Sequence, residues 1–377
     1  MGVELAGPSS LLAWILLFFI GMYIALCFSE LISLFPTSGG IYEICKQAYG
    51  SFASFITGWL TWIIGNVALT ISIPAGLELM YPVDTPWAYV LKFVISVLTV
   101  LLFSYLAMRG KDLENRVMVY FTILILFSFL ILVVPMFLDI PALFVSGELG
   151  SPLDFSHYSP FFVHDGLWRN TTLIVSALFV IMTVLFGLEA VSFLAGEVQE
   201  PRKVLPKLFP RAMFVVLFIS LIFVVGSLAI LDQETYIESW IFYEDILSIV
   251  LQDFGTLLVP IFVFFSGMVY FSEGLGWIIA SPRLIFSLAK DKFFPTSFSK
   301  LNPRYQTPVH AIAFQLTVLI VFLFVNYLIY IFTDEDPFYL FHALFILLSL
   351  IPASLLLLSV PLLRKKYPDL ERPYKVP

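Results

Sequence analysis

Charge is scarce in this sequence. Only 12% of its 377 residues are Asp, Glu, Lys or Arg, about half the ~25% share of a soluble domain. That deficit excludes an ordinary water-soluble fold. Cysteine is scarcer still. Cys27 lies in an apolar run and Cys45 in a polar linker, so neither a disulfide framework nor a cysteine metal site is expected. His157, His164, His310 and His342 are scattered, without HxxxH spacing. The chain has no HExxH, no Walker-type phosphate loop and no clustered catalytic set, so an enzyme, a resident metal and a cofactor are not expected. Met1 to Ser9 carries no basic residue, and the first apolar run does not read as a signal peptide.

Apolar surface is abundant. Hydrophobic residues make up 60% of the chain, including 40 Phe and 7 Trp, and the mean hydropathy is +0.97. An all-α integral membrane protein follows, because helices satisfy their own backbone groups in lipid. Nine apolar stretches are long enough to span: Ser10 to Phe35, Ser51 to Tyr81, Pro86 to Met108, Val117 to Leu138, Asn170 to Val198, Leu208 to Leu231, Thr256 to Ala280, Pro308 to Phe332 and Phe338 to Leu363.

Alternating sides places the linkers 35–50, 109–116, 199–207, 281–307 and 364–377 on one face. That face and its span ends hold all of the 20 Lys and Arg except Lys92 and Arg169. The positive-inside bias makes it cytoplasmic, with the N-terminus outside and the C-terminus inside. Most of these cations are read as topology signals. The opposite linkers are acidic, with Asp232, Glu234, Glu238, Glu244, Asp245 and Asp253 in one of them. The net charge of −7 is therefore a sum over two unlike faces, and nucleic acid is not among the expected partners. Asn170-Thr171-Thr172 is a formal glycosylation sequon at a membrane edge. The linker 139–169 is the longest, and 232–255 has room for a short acidic helix.

Three basic-face linkers carry sharper patterns. "SELISLFPTSGGIYEICKQAYG" closes the first span, with Pro36 as a stop and Gly39-Gly40 as a turn. "GEVQEPRKVLPKLFPRA" joins the fifth and sixth spans, and "SPRLIFSLAKDKFFPTSFSKLNPRYQTPVHAI" follows the seventh. Together they resemble the amino acid–polyamine–organocation transporter superfamily, over essentially the whole chain. The matching motifs are E-L-x-x-x-F-P-x-S-G-G-x-Y, G-x-E…G-E-x-x-x-P-x-x-x-x-P and S-x-R-x-x-x-x-x-A-x-D-x-x-x-P…N-x-R-x-x-T-P. "WLTWIIGN" (Trp59 to Asn66) and "GLGWII" around Trp277 resemble its arginine/agmatine-exchanger branch.

The resemblance implies a five-plus-five inverted-repeat fold in a single transmembrane domain. Residues 10–138 would form a partial first repeat and 170–363 the second. The nine spans match the family's second to tenth helices, so the first helix and the last two are expected to be missing. It also implies a secondary active transporter or exchanger of amino acids or related amines in the plasma membrane, working by alternating access and proton-linked or antiport. Its partners would be a small-molecule substrate and the lipid bilayer. The alternative is a non-transporting sensor or an inactive fragment on the same fold.

The substrate site is read from intramembrane polar and glycine positions. Gly187 can adopt conformations that other residues avoid, so Phe186, Gly187 and Leu188 would offer backbone groups at an unwound point. The alternative is a close helix contact at a small residue. Glu189 is costly to bury ionised in hydrocarbon. It is a candidate for proton coupling or substrate binding, or else a neutral carboxyl hydrogen-bonded to loose backbone. Glu273, one turn before Trp277, is a second proton-coupling candidate. The resemblance further implies that Thr61, Trp62 and Asn66 line the pocket and that Trp277 stacks on the substrate. Asn66 as interhelix glue and Trp277 as packing remain open. The exchangers' gating Trp is replaced here by Thr183, a departure that argues against carrying over their cation specificity.

Overall fold

In a computed structural model of the chain, the described residues are 2–139, 141, 150–185, 187–231, 242–252, 255–333 and 335–376. They form α1 (Gly2–Ala6), α2 (Ser10–Leu34), α3 (Ile41–Tyr49), α4 (Ser51–Met80), α5 (Pro86–Met108), α6 (Lys111–Phe137) and α7 (Leu167–Ile181). There follow α8 (Leu188–Phe193), α9 (Pro201–Ile230), α10 (Phe242–Leu251), α11 (Gly255–Lys290), α12 (Val309–Phe332) and α13 (Pro337–Lys366). Among the described residues nine helical segments are long and apolar enough to cross a membrane, and each falls on an expected span. The short helix expected within 232–255 is α10, while Asp232, Glu234 and Glu238 lie outside the described residues.

Several boundaries differ from the sequence reading, α6 starting at Lys111 rather than Val117, and two of them have a plain physical reason. Helix α9 begins at Pro201 rather than Leu208. Proline supplies a helix-like φ and needs no N–H in the first turn. Helix α11 runs on to Lys290 rather than stopping near Ala280. Residues 281–289 of this extension are buried all round, with Leu284, Ile285 and Leu288 packed in the core and Arg283 paired (below), so the helix continues.

The chain divides into two compact units, each drawing on both halves of the sequence. The first comprises Met1–Tyr23, Ile123–Leu185 and Arg211–Ser266. Its core contains Leu132, Met136, Val224, Leu228, Ile246, Leu247 and Phe262. The Tyr158 hydroxyl donates to the Val225 carbonyl at 2.7 Å, which ties the long linker to α9. The sequon residue Asn170 is buried and consumed locally, donating to the His164 carbonyl at 2.5 Å and the Gly166 carbonyl at 3.1 Å.

The second unit comprises Ile24–Thr122, Phe186–Pro210 and Gly267–Pro377. Helix α4 is its centre, and most of its residues from Thr57 to Leu77 are buried. Helix α13 packs on α4 and α3, and α12 on α4 and α5. A buried helix cannot turn its polar residues to water. Thr57, Thr61, Thr70 and Ser72 instead donate to their own i−4 carbonyls at 2.7 to 2.9 Å. Helix α5 is peripheral, and Trp87, Leu91, Leu98 and Leu102 form an exposed apolar face suited to lipid. Its one cation, Lys92, is 1% exposed. It donates to Glu78 at 2.5 Å and the Val83 carbonyl at 3.1 Å, with the Tyr81 and Tyr89 rings 5.8 and 5.1 Å away. Such a pair is how a span carries a buried charge.

Candidate substrate site and its supporting network

The fifth span is not one helix. Helix α7 ends at Ile181 and a 3₁₀ turn covers Met182–Leu185. Gly187 has φ 114° and ψ −21°, and α8 starts at Leu188. Among the described residues no atom lies within 4 Å of where a Cβ on Gly187 would stand. The glycine therefore serves a left-handed backbone and not a close helix contact. Phe186 lies outside the described residues. Glu189, in the first turn of α8, is 8% exposed. Its Oε2 accepts the Gly187 N–H at 3.0 Å, across the break.

The α4 candidates form a different group. Thr61 is buried and its hydroxyl donates to the Thr57 carbonyl. Trp62 is 2% exposed and stacks between Trp59 and Phe314, with ring centroids 5.1 and 5.2 Å apart. Asn66 donates its amide to the Trp62 carbonyl at 2.8 Å. A Cβ on Gly65 would stand 2.7 Å from the Trp277 ring and 2.6 Å from Ser281 Oγ, so α11 approaches here because residue 65 has no side chain. The structure thus brings Trp277 and Ser281 of α11 against α4 at Gly65, the residue before Asn66. Asn66 Oδ1, Trp62 Nε1 and Ser281 Oγ are buried without hydrogen-bond partners among the described residues. Groups of that kind are costly to leave unpaired. Glu273 sits one turn before Trp277 on α11 and is exposed.

The three basic-face motifs converge in the second unit, around the turn at Ser38-Gly39-Gly40. Gly40 has φ 44°. A Cβ there would overlap Ser192, and one on Gly196 would stand 2.4 Å from Ser38 Oγ. The Ser287 hydroxyl donates to the Ser38 carbonyl. Tyr42 and Lys46 of α3 both donate to the Asp291 carboxylate, Lys46 at 2.5 Å. Burial raises the Tyr42 phenol pKa, and the adjacent carboxylate raises it further. Burial works against the charge on Asp291, but the hydrogen bonds from Lys46 and Tyr42 outweigh it and hold its carboxyl below the usual range.

Two charge clusters complete this end. Arg283 bridges Glu114 at 3.1 Å and Glu197 at 2.9 Å. Glu30 accepts from Arg364 at 2.9 and 2.5 Å and from the Val376 N–H at 2.8 Å, with Arg372 Nε 3.4 Å away. Reading the cations as topology signals missed these pairs. Glu30, Glu197, Arg283 and Asp291 all lie inside the motifs quoted above, which was the available signal. Glu114, Arg364 and Arg372 lie outside them, so their pairing could be found only in three dimensions.

The comparisons agree with this architecture. The pattern of the amino acid permease family matches residues 1–377. The glutamate/serine transporter AimA of Bacillus subtilis (strain 168) is 22% identical over 347 residues, covering 85% of this chain and 60% of the relative. The branched-chain amino acid permease BcaP of the same organism is 24% identical, covering 100% of this chain and 78% of the relative. The Homo sapiens cystine/glutamate transporter is 24% identical, covering 98% and 69%. The chain therefore spans under two thirds of the length of AimA. The family is one of transporters rather than enzymes, and this chain, a multi-pass membrane protein, belongs to the amino acid permease family.

Proposed function

We propose that the chain serves secondary active transport or exchange of an amino acid or related amine, by alternating access in the plasma membrane, proton-linked or antiport. In this reading the N-terminus lies outside and the C-terminus in the cytoplasm. The observation that carries the proposal is the break at Gly187, which opens backbone within an apolar span and sets Glu189 against it. Leu188 opens the helix that follows the break; Phe186 is carried from the sequence as its neighbour. Asn66 and Trp277 supply polar and aromatic surface on α4 and α11, with Thr61 and Trp62 behind Asn66. Glu189 and Glu273 are the proton-coupling candidates. Glu189 meets backbone N–H rather than a cation, so a change in its protonation breaks no ion pair.

The test is uptake of a labelled amino acid panel into proteoliposomes with and without a pH gradient. Substrate-dependent flux is expected, and Glu189→Gln is expected to abolish its pH dependence. Flux that keeps its pH dependence in Glu189→Gln sinks the proton role. No flux for any member of the panel supports the non-transporting reading.

A further inference from the structure

The inference rests on the transport reading above and concerns Arg283, which that reading does not use. Arg283 is 4% exposed. Its Nη2 reaches Glu114 of α6 at 3.1 Å, and its Nε reaches Glu197 at 2.9 Å in the 3₁₀ turn Ala195–Glu197 after α8. Nη1 donates to the Ile279 carbonyl one turn back on α11. One planar guanidinium thus joins three elements, a task its fixed fork of donors suits and a lysine's single ammonium does not.

Beside it lies a cavity of about 310 Å³, lined by Glu114, Met118, Leu194, Glu197, Gly276 and Ile279 among others. Chain direction orders these residues. Helix α11 runs from Gly276 through Ile279 to Arg283 toward the end rich in Lys and Arg. The post-break segment runs from Leu194 to Glu197 toward that same end, and α6 runs from Glu114 to Met118 away from it. The two paired glutamates therefore stand at the basic end of the cavity, and Met118, Leu194 and Gly276 stand deeper.

The two arms are unequal. The Glu114 side chain is 5% exposed and the Glu197 side chain 23%. The Glu114 arm is the more deeply buried, so parting it costs more than parting the Glu197 arm, which lies closer to water. Glu197 also belongs to the short segment that begins at the Gly187 break, where the backbone has already left the regular helix. We propose that Arg283 is the latch of an inner gate. Its pairing with Glu114 and Glu197 closes the cavity at the basic end, and release of the Glu197 arm opens it. Arg283 is a positioning residue, acting on the post-break segment rather than on substrate.

The test needs no known substrate. The full chain carrying Met118→Cys is reconstituted and labelled with a membrane-impermeant maleimide from each side. Both native thiols are buried, and burial pushes the Cys45 thiol up to about 11, so background labelling is low. Glu197→Gln is expected to raise the labelling rate about tenfold from the basic side, with little change from the other, as a shifted open–closed equilibrium requires. Arg283→Lys, which keeps the charge without the fork, is expected to fall between. Both variants are checked for folding by size-exclusion and thermal melting. If Glu197→Gln unfolds, Arg283→Lys decides alone. A rate within about twofold of the parent in a folded variant overturns the latch, since no population has shifted. Flux of the amino acid panel is read in the same vesicles. Labelling that responds without any flux counts against transport and leaves the gate standing. Flux with unresponsive labelling counts against the gate alone.

Discussion

Glu30 and Glu189 are both buried carboxylates on apolar helices, with exposures of 1% and 8%. Glu30 sits among Arg364, Arg372 and the Val376 N–H. Glu189 accepts the N–H of Gly187, and among the described residues no cation pairs with it. A carboxylate held by two guanidinium groups fastens what it touches, here α2, α13 and the C-terminal segment. A carboxylate held by backbone N–H at a helix break can exchange its proton without stranding a cation. The first arrangement makes a scaffold, and the second suits a moving part.

The largest expected effect tests the scaffold half of that comparison. Glu30→Gln should destabilise the protein by about 3 kcal/mol, because the Arg pair loses its counter-charge. Thermal unfolding in detergent reads this. Glu189→Gln should cost less than about 1 kcal/mol, since an amide still accepts one backbone N–H. Equal losses would erase the distinction drawn here.

Next in size is the backbone of the break. Gly187→Ala should cost about 1 to 2 kcal/mol from its positive φ alone, because nothing crowds a Cβ there. Gly65→Ala is the steric counterpart, costing about 1 to 3 kcal/mol by overpacking against Trp277 and Ser281. Adding Ser281→Ala should recover part of the Gly65→Ala loss, and none of the Gly187→Ala loss. A double-mutant cycle reads the difference.

The smallest effect lies at Asp291, outside the spans. Its carboxyl is held below the usual aspartate range by Lys46 and Tyr42. A lowered folded value means that its stabilising contribution is complete above the unfolded value of about 4. It is then lost as pH falls through the folded value. Asp291→Asn should flatten the acid limb of stability below about pH 4 and leave flux per folded molecule near the parent's. Unchanged acid sensitivity would show that other carboxylates govern that limb.

Much of the fold was legible because membrane spans are written in composition. Each of the nine apolar runs became helical, the fifth in two pieces on either side of the break at Gly187. The paired charges were less legible. Glu30 and Arg364 are 334 residues apart, and no local pattern joins them. Trp277 and Ser281 reach α4 because Gly65 lets α4 and α11 close on each other, an approach that depends on two distant helices at once. Thr61 and Trp62 turned out to be packed within the helix interior, their hydroxyl and ring engaged by neighbours.

The sequence by itself determined that this is a helical membrane protein and where its spans lie. Those properties follow from hydropathy, which acts over a few residues, whereas the structure decided that Gly187 is a break and not a close helix contact. Tertiary structure alone decided which buried charges are fixed and which stand free of a counter-ion. That choice depends on what packs within about 4 Å of each carboxylate, and the partners come from helices far apart in the chain.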